Sequence, residues 1–168
     1  MAWTAAAQEA FPVCYNYDCR VQAEVSLSAA QLDRLSVLFA PVSTPPQERR
    51  AISRAMGLLA GFAAEQTPIW ADRGGNYDDD GVDGRMDCID HSINAAEYLS
   101  LFRRRGWLKF HTDLGRVRRG FIFVHWAARL RETHTGEEYA VDSWFFDNGH
   151  PAAVLPLRNW LAGADPHG

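Results

Sequence analysis

The stretch Gly84-Arg85-Met86-Asp87-Cys88-Ile89-Asp90-His91-Ser92-Ile93-Asn94-Ala95-Ala96-Glu97-Tyr98-Leu99 decides how the rest of the chain is read. Ile89, Ile93, Ala96 and Leu99, followed by Phe102, recur at the spacing of one helical face. Asp87 is then the natural N-cap and Gly106 the natural stop, with Arg103, Arg104 and Arg105 near the negative end of the helix dipole. Cys88 falls in the first turn, where unpaired backbone N–H groups and the positive helix end favour an anion. A thiolate forms more easily there, and the Cys88 N–H is placed to help hold an oxyanion.

Two strand-like segments follow. Phe121 to Glu132 is rich in aromatic and aliphatic residues and reads as a buried strand, Thr133-His134-Thr135-Gly136 as a turn, and Glu138 to Phe145 as the returning strand. In such a hairpin His125 and Asp142 are near-opposite when the loop centre falls close to His134. They share a face only at one register parity, because a slip of one residue turns Asp142 away. A thiol at a helix start, an imidazole on one strand and a carboxylate on the next supply nucleophile, base and orienter, in the order used by a large group of cysteine acyl-transfer enzymes.

These elements resemble the transglutaminase-like superfamily, a branch of the papain-like fold. The resemblance is carried by Cys88 opening a helix, His125-Trp126-Ala127 on a strand and Tyr139-Ala140-Val141-Asp142 on the next, and it covers roughly the C-terminal half. The bacterial transglutaminase-like cysteine proteinases are similar in these motifs. The resemblance implies Cys88 as nucleophile, His125 as general base and acid, and Asp142 as the group that orients His125. One departure is Ser143-Trp144 after Asp142, where many relatives carry Asp-Pro. Members of the superfamily include peptidases, amidases, transglutaminases and inactive binding domains, so the resemblance implies chemistry better than substrate.

The expectation is therefore a cysteine hydrolase or acyltransferase that acts on an amide or peptide bond through a thioester, with a protein or peptide substrate and no required cofactor. Two alternatives stand beside it. One is a non-catalytic domain that holds a peptide or glycan on the aromatic surface of Trp126, Trp144 and Phe145. The other is a zinc site of Cys88 and His91, completed by His111 or His125, since thiolate and imidazole suit zinc.

The acidic run before Cys88 also carries a calcium-loop pattern. Asn76, Asp78, Asp80, Gly81 and Asp87 match positions one, three, five, six and twelve of a calcium loop, where alternating oxygens surround a hard cation. Position eight is Asp83 rather than apolar, and position twelve is Asp rather than the longer Glu. The competing reading is a solvated loop rich in Gly and Asp. The resemblance adds that some relatives use calcium near the active site.

The N-terminal half reads as support. Ser28-Ala29-Ala30-Gln31 opens a helix with a capping-box pattern, with Leu32, Leu35, Leu38 and Phe39 inward, and Thr44-Pro45-Pro46-Gln47 opens a second through Ile52, Met56 and Leu59 toward Ala64. Val21 to Leu27 alternates as a short strand. The sum is an α+β layer arrangement, papain-like by the resemblance: N-terminal helices, then the nucleophile helix packed on an antiparallel sheet.

With 168 residues, 47% of them hydrophobic, the chain buries a full core as a single domain over residues 1–168, uninterrupted by linker or repeat. The net charge of −4 argues against a general nucleic-acid binder, and Arg103 to Arg105 with Arg116, Arg118 and Arg119 read as solvated surface. No apolar stretch reaches membrane-spanning length. In an exported protein Cys14 and Cys19 pair as a small-loop disulfide and leave Cys88 free; in a cytoplasmic one they stay reduced. Met1 to Ala7 has neither the basic start nor the apolar run of a secretory signal. The expected location is thus periplasmic or secreted if a signal was removed and the disulfide forms, and otherwise cytoplasmic.

Overall fold

Capping chemistry fixes where the helices begin. A computed structural model describes residues 9–167, and the Met1 to Ala7 segment read above for a signal lies outside them. In chain order the elements are β1 (Glu9–Tyr15), β2 (Val21–Leu27), α1 (Ala29–Phe39), α2 (Pro45–Ala64), α3 (Cys88–Arg104), β3 (His111–Arg119), β4 (His125–Glu132), β5 (Glu138–Asp142), β6 (Ala153–Pro156) and α4 (Leu157–Leu161), with one 3₁₀ turn at Pro68–Ala71. Ser28 and Gln31 close a capping box on α1, and Thr44 caps α2 with Pro45 as its first residue. Asp87 caps α3 in a second capping box with Asp90, and the chain leaves α3 through Gly106 at φ 69°.

The strands form two antiparallel sheets, β1-β2 and the meander β3-β4-β5-β6, so the architecture is α+β. Two strand boundaries differ from those read in the sequence, and β1, β3 and β6 are not read there as strands. The apolar run at Phe121 does not open β4; Gly120, at φ 81°, begins a turn through Phe121, Ile122 and Phe123, and pairing starts at His125. β5 ends at Asp142 rather than Phe145, because the Asp142 carboxylate accepts the Trp144 N–H at 3.2 Å and turns the chain. β3 escapes a hydrophobic reading because it is an edge strand with a bulge between Asp113 and Arg116, and an edge with a solvated face needs no apolar run.

α3 lies against β4, burying Leu99 and Phe102 in one core with Ala128, Leu130 and Val141, to which α1 and α2 add Leu35, Ile52 and Leu59. The other face of the meander carries Ala127 and Ala140 under Trp160 of α4. A buried polar knot joins the layers. Glu48 of α2 accepts the N–H groups of Lys109 and Phe110 and His111 Nδ1 at 2.8 Å, while His111 Nε2 accepts from Arg49 at 3.1 Å and Arg49 reaches Glu132 at 2.8 Å. Burial alone would raise the Glu48 pKa, but the His111 and backbone bonds hold it below the usual carboxylate range. Its stabilising contribution is therefore present above the unfolded carboxyl range and is lost as pH falls through the folded value. Glu48→Ala is expected to cost about 3–5 kcal/mol in urea unfolding, because it strands a buried imidazole and two backbone donors.

Candidate active site

The helix that opens with Cys88 is anchored by an unusual turn. Asn16, Tyr17, Asp18 and Cys19 all take positive φ, at 67°, 64°, 52° and 50°, in the left-handed region that residues with side chains rarely occupy. A Cys14–Cys19 disulfide closes this loop. The left-handed run turns successive N–H groups toward one side: Tyr17 and Cys19 donate to Asp90 at 2.8 and 2.7 Å, and Asp18 donates to Asp87 at 3.1 Å. The result is an anion nest filled by two carboxylates at the start of α3. Burial, then repulsion from Asp87, pushes the Asp90 pKa up to about 6. Further along α3, Asn94 accepts the Cys14 N–H at 2.7 Å and donates to its carbonyl at 2.9 Å.

The β4–β5 register settles the parity left open by the sequence. Arg129 faces Ala140 and Leu130 faces Tyr139, so odd residues of β4 share a face with even residues of β5. His125 Nε2 and Asp142 Oδ2 are 2.6 Å apart. Asp142 is buried and accepts two further bonds, from Trp160 Nε1 at 2.9 Å and from the Trp144 N–H at 3.2 Å. The His125 ring is hemmed by Trp144, Phe145 and Trp160, with centroids at 4.9, 5.7 and 5.7 Å.

Cys88 is the free thiol, and its Sγ lies 3.9 Å from the Val124 carbonyl oxygen. Burial pulls the His125 pKa down, yet hydrogen bonds and charge interactions with Asp142 and Cys88 overcome it and push the value up to about 9. Cys88 and His125 share the wall of a cleft of about 470 Å³ with Tyr17, Tyr77, Phe123, Val124, Trp144 and Phe145. The structure thus brings Cys88, His125 and Asp142 to one place.

Trp160 is a partner of Asp142 that the sequence reading missed. Only its residue type in the Leu157–Leu161 segment hinted at it, since a buried indole N–H needs an acceptor. Arg119 covers the Trp160 ring at 4.7 Å and donates to the carbonyls of Trp160 and Ala164, holding the C-terminal segment over the site.

The metal expectations are not assembled. Both ring nitrogens of His91 are engaged, by Ser143 Oγ at 2.8 Å and Asp72 Oδ2 at 2.9 Å, and those of His111 by Glu48 and Arg49, so neither joins Cys88 in a zinc site. Among the described residues, the one group of three His, Cys, Asp or Glu donors within mutual ligand reach is Cys14, Cys19 and Asp90, and the disulfide takes both sulfurs. For calcium, Asp78 and Asp80 are exposed, and the Asp87 oxygens already accept from Asp90 and Asp18. Asp79, which the loop pattern skips, turns inward instead: it accepts from Asn76 at 2.7 Å and from the Tyr17 hydroxyl, and pairs with Arg85 at 3.3 Å. Asn76, Asp78, Asp80 and Asp87 therefore do not form one shell. The aromatic surface of the binding alternative is also split, because Trp126 points to the opposite face of β4 from His125 and lies under Arg116 at 4.7 Å.

No protein-family model, curated protein or solved structure matches this chain. No helix among the described residues is long and apolar enough to cross a membrane.

Proposed function

We propose that the chain is a transglutaminase-like cysteine hydrolase or acyltransferase of papain-like fold, acting on an amide or peptide bond of a protein or peptide. The observation that carries this reading is the 2.6 Å contact of His125 with a buried Asp142, with Cys88 and His125 on the wall of one cleft. With a pKa pushed up to about 9, His125 is an imidazolium at neutral pH, a cation facing the cleft that also holds the Cys88 sulfur. The thiolate attacks the carbonyl carbon, and the N–H of Cys88 at the start of α3 helps hold the oxyanion. His125 gives its proton to the departing amine as the C–N bond breaks, leaving a thioester. Water or an acceptor amine gives a proton to His125 and attacks the thioester carbonyl; the C–S bond breaks, the acyl group leaves on the acceptor, and the sulfur anion and the imidazolium are restored. Asp142 fixes the ring through Nε2, which leaves Nδ1 for the reaction. The Cys14–Cys19 disulfide supports an oxidising, periplasmic or secreted setting.

Alkylation by iodoacetamide at about pH 6 tests the thiolate directly. Intact-mass kinetics are expected to show Cys88 reacting about tenfold or more faster than free cysteine, and His125→Ala is expected to remove that advantage. A rate equal to that of free cysteine and indifferent to His125 would sink the reading.

A further inference from the structure

The turn between β3 and β4 holds Phe121, Ile122 and Phe123 with 96%, 89% and 90% of their surfaces exposed. Consecutive large apolar side chains standing in water mark a surface that something covers. The turn has a defined shape: Gly120 sits at φ 81°, and a side chain there would run into the Phe123 carbonyl. Its last residues enter the catalytic cleft, where Phe123 and Val124 form part of the wall. The Val124 carbonyl meets the Cys88 sulfur at 3.9 Å. Tyr77, 76% exposed, lines the same cleft and stands edge-on to Trp144 with centroids 5.0 Å apart. The apolar tip is therefore continuous with the wall beside the nucleophile.

Building on the cysteine acyl-transfer reading, we propose that Phe123 and Tyr77 wall a subsite for a bulky apolar side chain of a peptide acyl donor, which Phe121 and Ile122 extend along the substrate. The continuity with the cleft favours a substrate over a membrane, since a lipid anchor has no need to line the place where the thiol sits. The loop that carries Tyr77 into the cleft also exposes Asp78, Asp80 and Asp83, and an anionic lipid surface would repel these charges. A peptide side chain covers the apolar tip without bringing them to a membrane.

The probes are two peptidyl acyloxymethyl ketones that differ only in Phe or Gly next to the ketone. The Cys88 thiolate displaces the carboxylate, so a C–S bond forms, a C–O bond breaks and a carboxylate anion leaves. Intact-mass kinetics are expected to show the Phe probe labelling about tenfold or more faster than the Gly probe. The ratio should fall to within about twofold in Phe121→Ser/Phe123→Ser and in Tyr77→Ser, the Gly probe in each variant reporting any change in the thiol itself. Equal rates in the wild type, a preference that survives the serine variants, or two inert probes beside a reactive thiol would each overturn the subsite. Phe123-dependent sedimentation with phosphatidylcholine vesicles and no Phe preference would overturn it in favour of a lipid anchor. Loss of iodoacetamide reactivity itself would remove the nucleophile, and the subsite with it, which separates the two failures.

Discussion

Cys88→Ala is expected to leave the fold intact and to reduce turnover of an acyl substrate by about 10⁴-fold or more. Alanine suits the first turn of a helix, and the capping box of Asp87 and Asp90 does not involve the sulfur. The nest that anchors α3 is built from backbone N–H groups and two carboxylates, all of which the substitution keeps. Urea unfolding should therefore move by no more than about 0.5 kcal/mol. Steady-state turnover, measured alongside unfolding, separates the lost nucleophile from a damaged scaffold. Full activity in this variant would exclude covalent catalysis by Cys88.

Asp142→Asn should cost about 10²- to 10⁴-fold in kcat and shift the pH profile. Asp142 faces donors from His125, Trp160 and the Trp144 backbone, and an asparagine offers one acceptor oxygen where the carboxylate offers two. The His125 ring loses its fixed tautomer and the partner that raises its pKa. In the wild type kcat/KM should fall as pH rises through about 9, where His125 gives up its proton. In the variant that limb should move toward neutral pH. The stability effect has the same origin. Because the folded pKa of about 9 lies above the unfolded value of about 6.5, the contribution of His125 is complete below about pH 6.5 and is lost as pH rises through about 9. A profile unchanged by Asp142→Asn would show that the carboxylate does not govern the imidazole.

Local signals were readable where chemistry acts within a few residues. Ser28, Thr44 and Asp87 announce their helices because a cap and its N–H lie three positions apart. The pairing of β4 with β5 was readable as a hairpin but not in parity, which depends on where the turn at Thr133 to Gly136 places its centre. Phe121 to Phe123 looked like strand core because apolar runs are usually buried; what reversed this was Gly120, whose positive φ starts the turn too early. Trp160 lies 18 residues beyond Asp142, and no spacing rule joins them. The side chains of the acidic loop are not gathered as the calcium pattern expects, because the pattern counts alternate residues, whereas Tyr17, from 62 residues away, selects Asp79. That partner is delivered by the left-handed turn, which nothing in Asn16-Tyr17-Asp18 foretells.

The clasp at Cys14–Cys19 and the thiol at Cys88 make opposite demands on their surroundings. A strongly reducing medium protects Cys88 from sulfenic and sulfinic acids but opens the clasp. The left-handed turn then loses its tether, and with it the N–H groups that grip Asp87 and Asp90 on either side of Cys88. A strongly oxidising medium secures the clasp and leaves the sulfur at the cleft wall open to oxidation. No single redox poise is best for both, so a thiol-dependent activity of this chain would be confined to a window bounded on one side by its scaffold and on the other by its own sulfur.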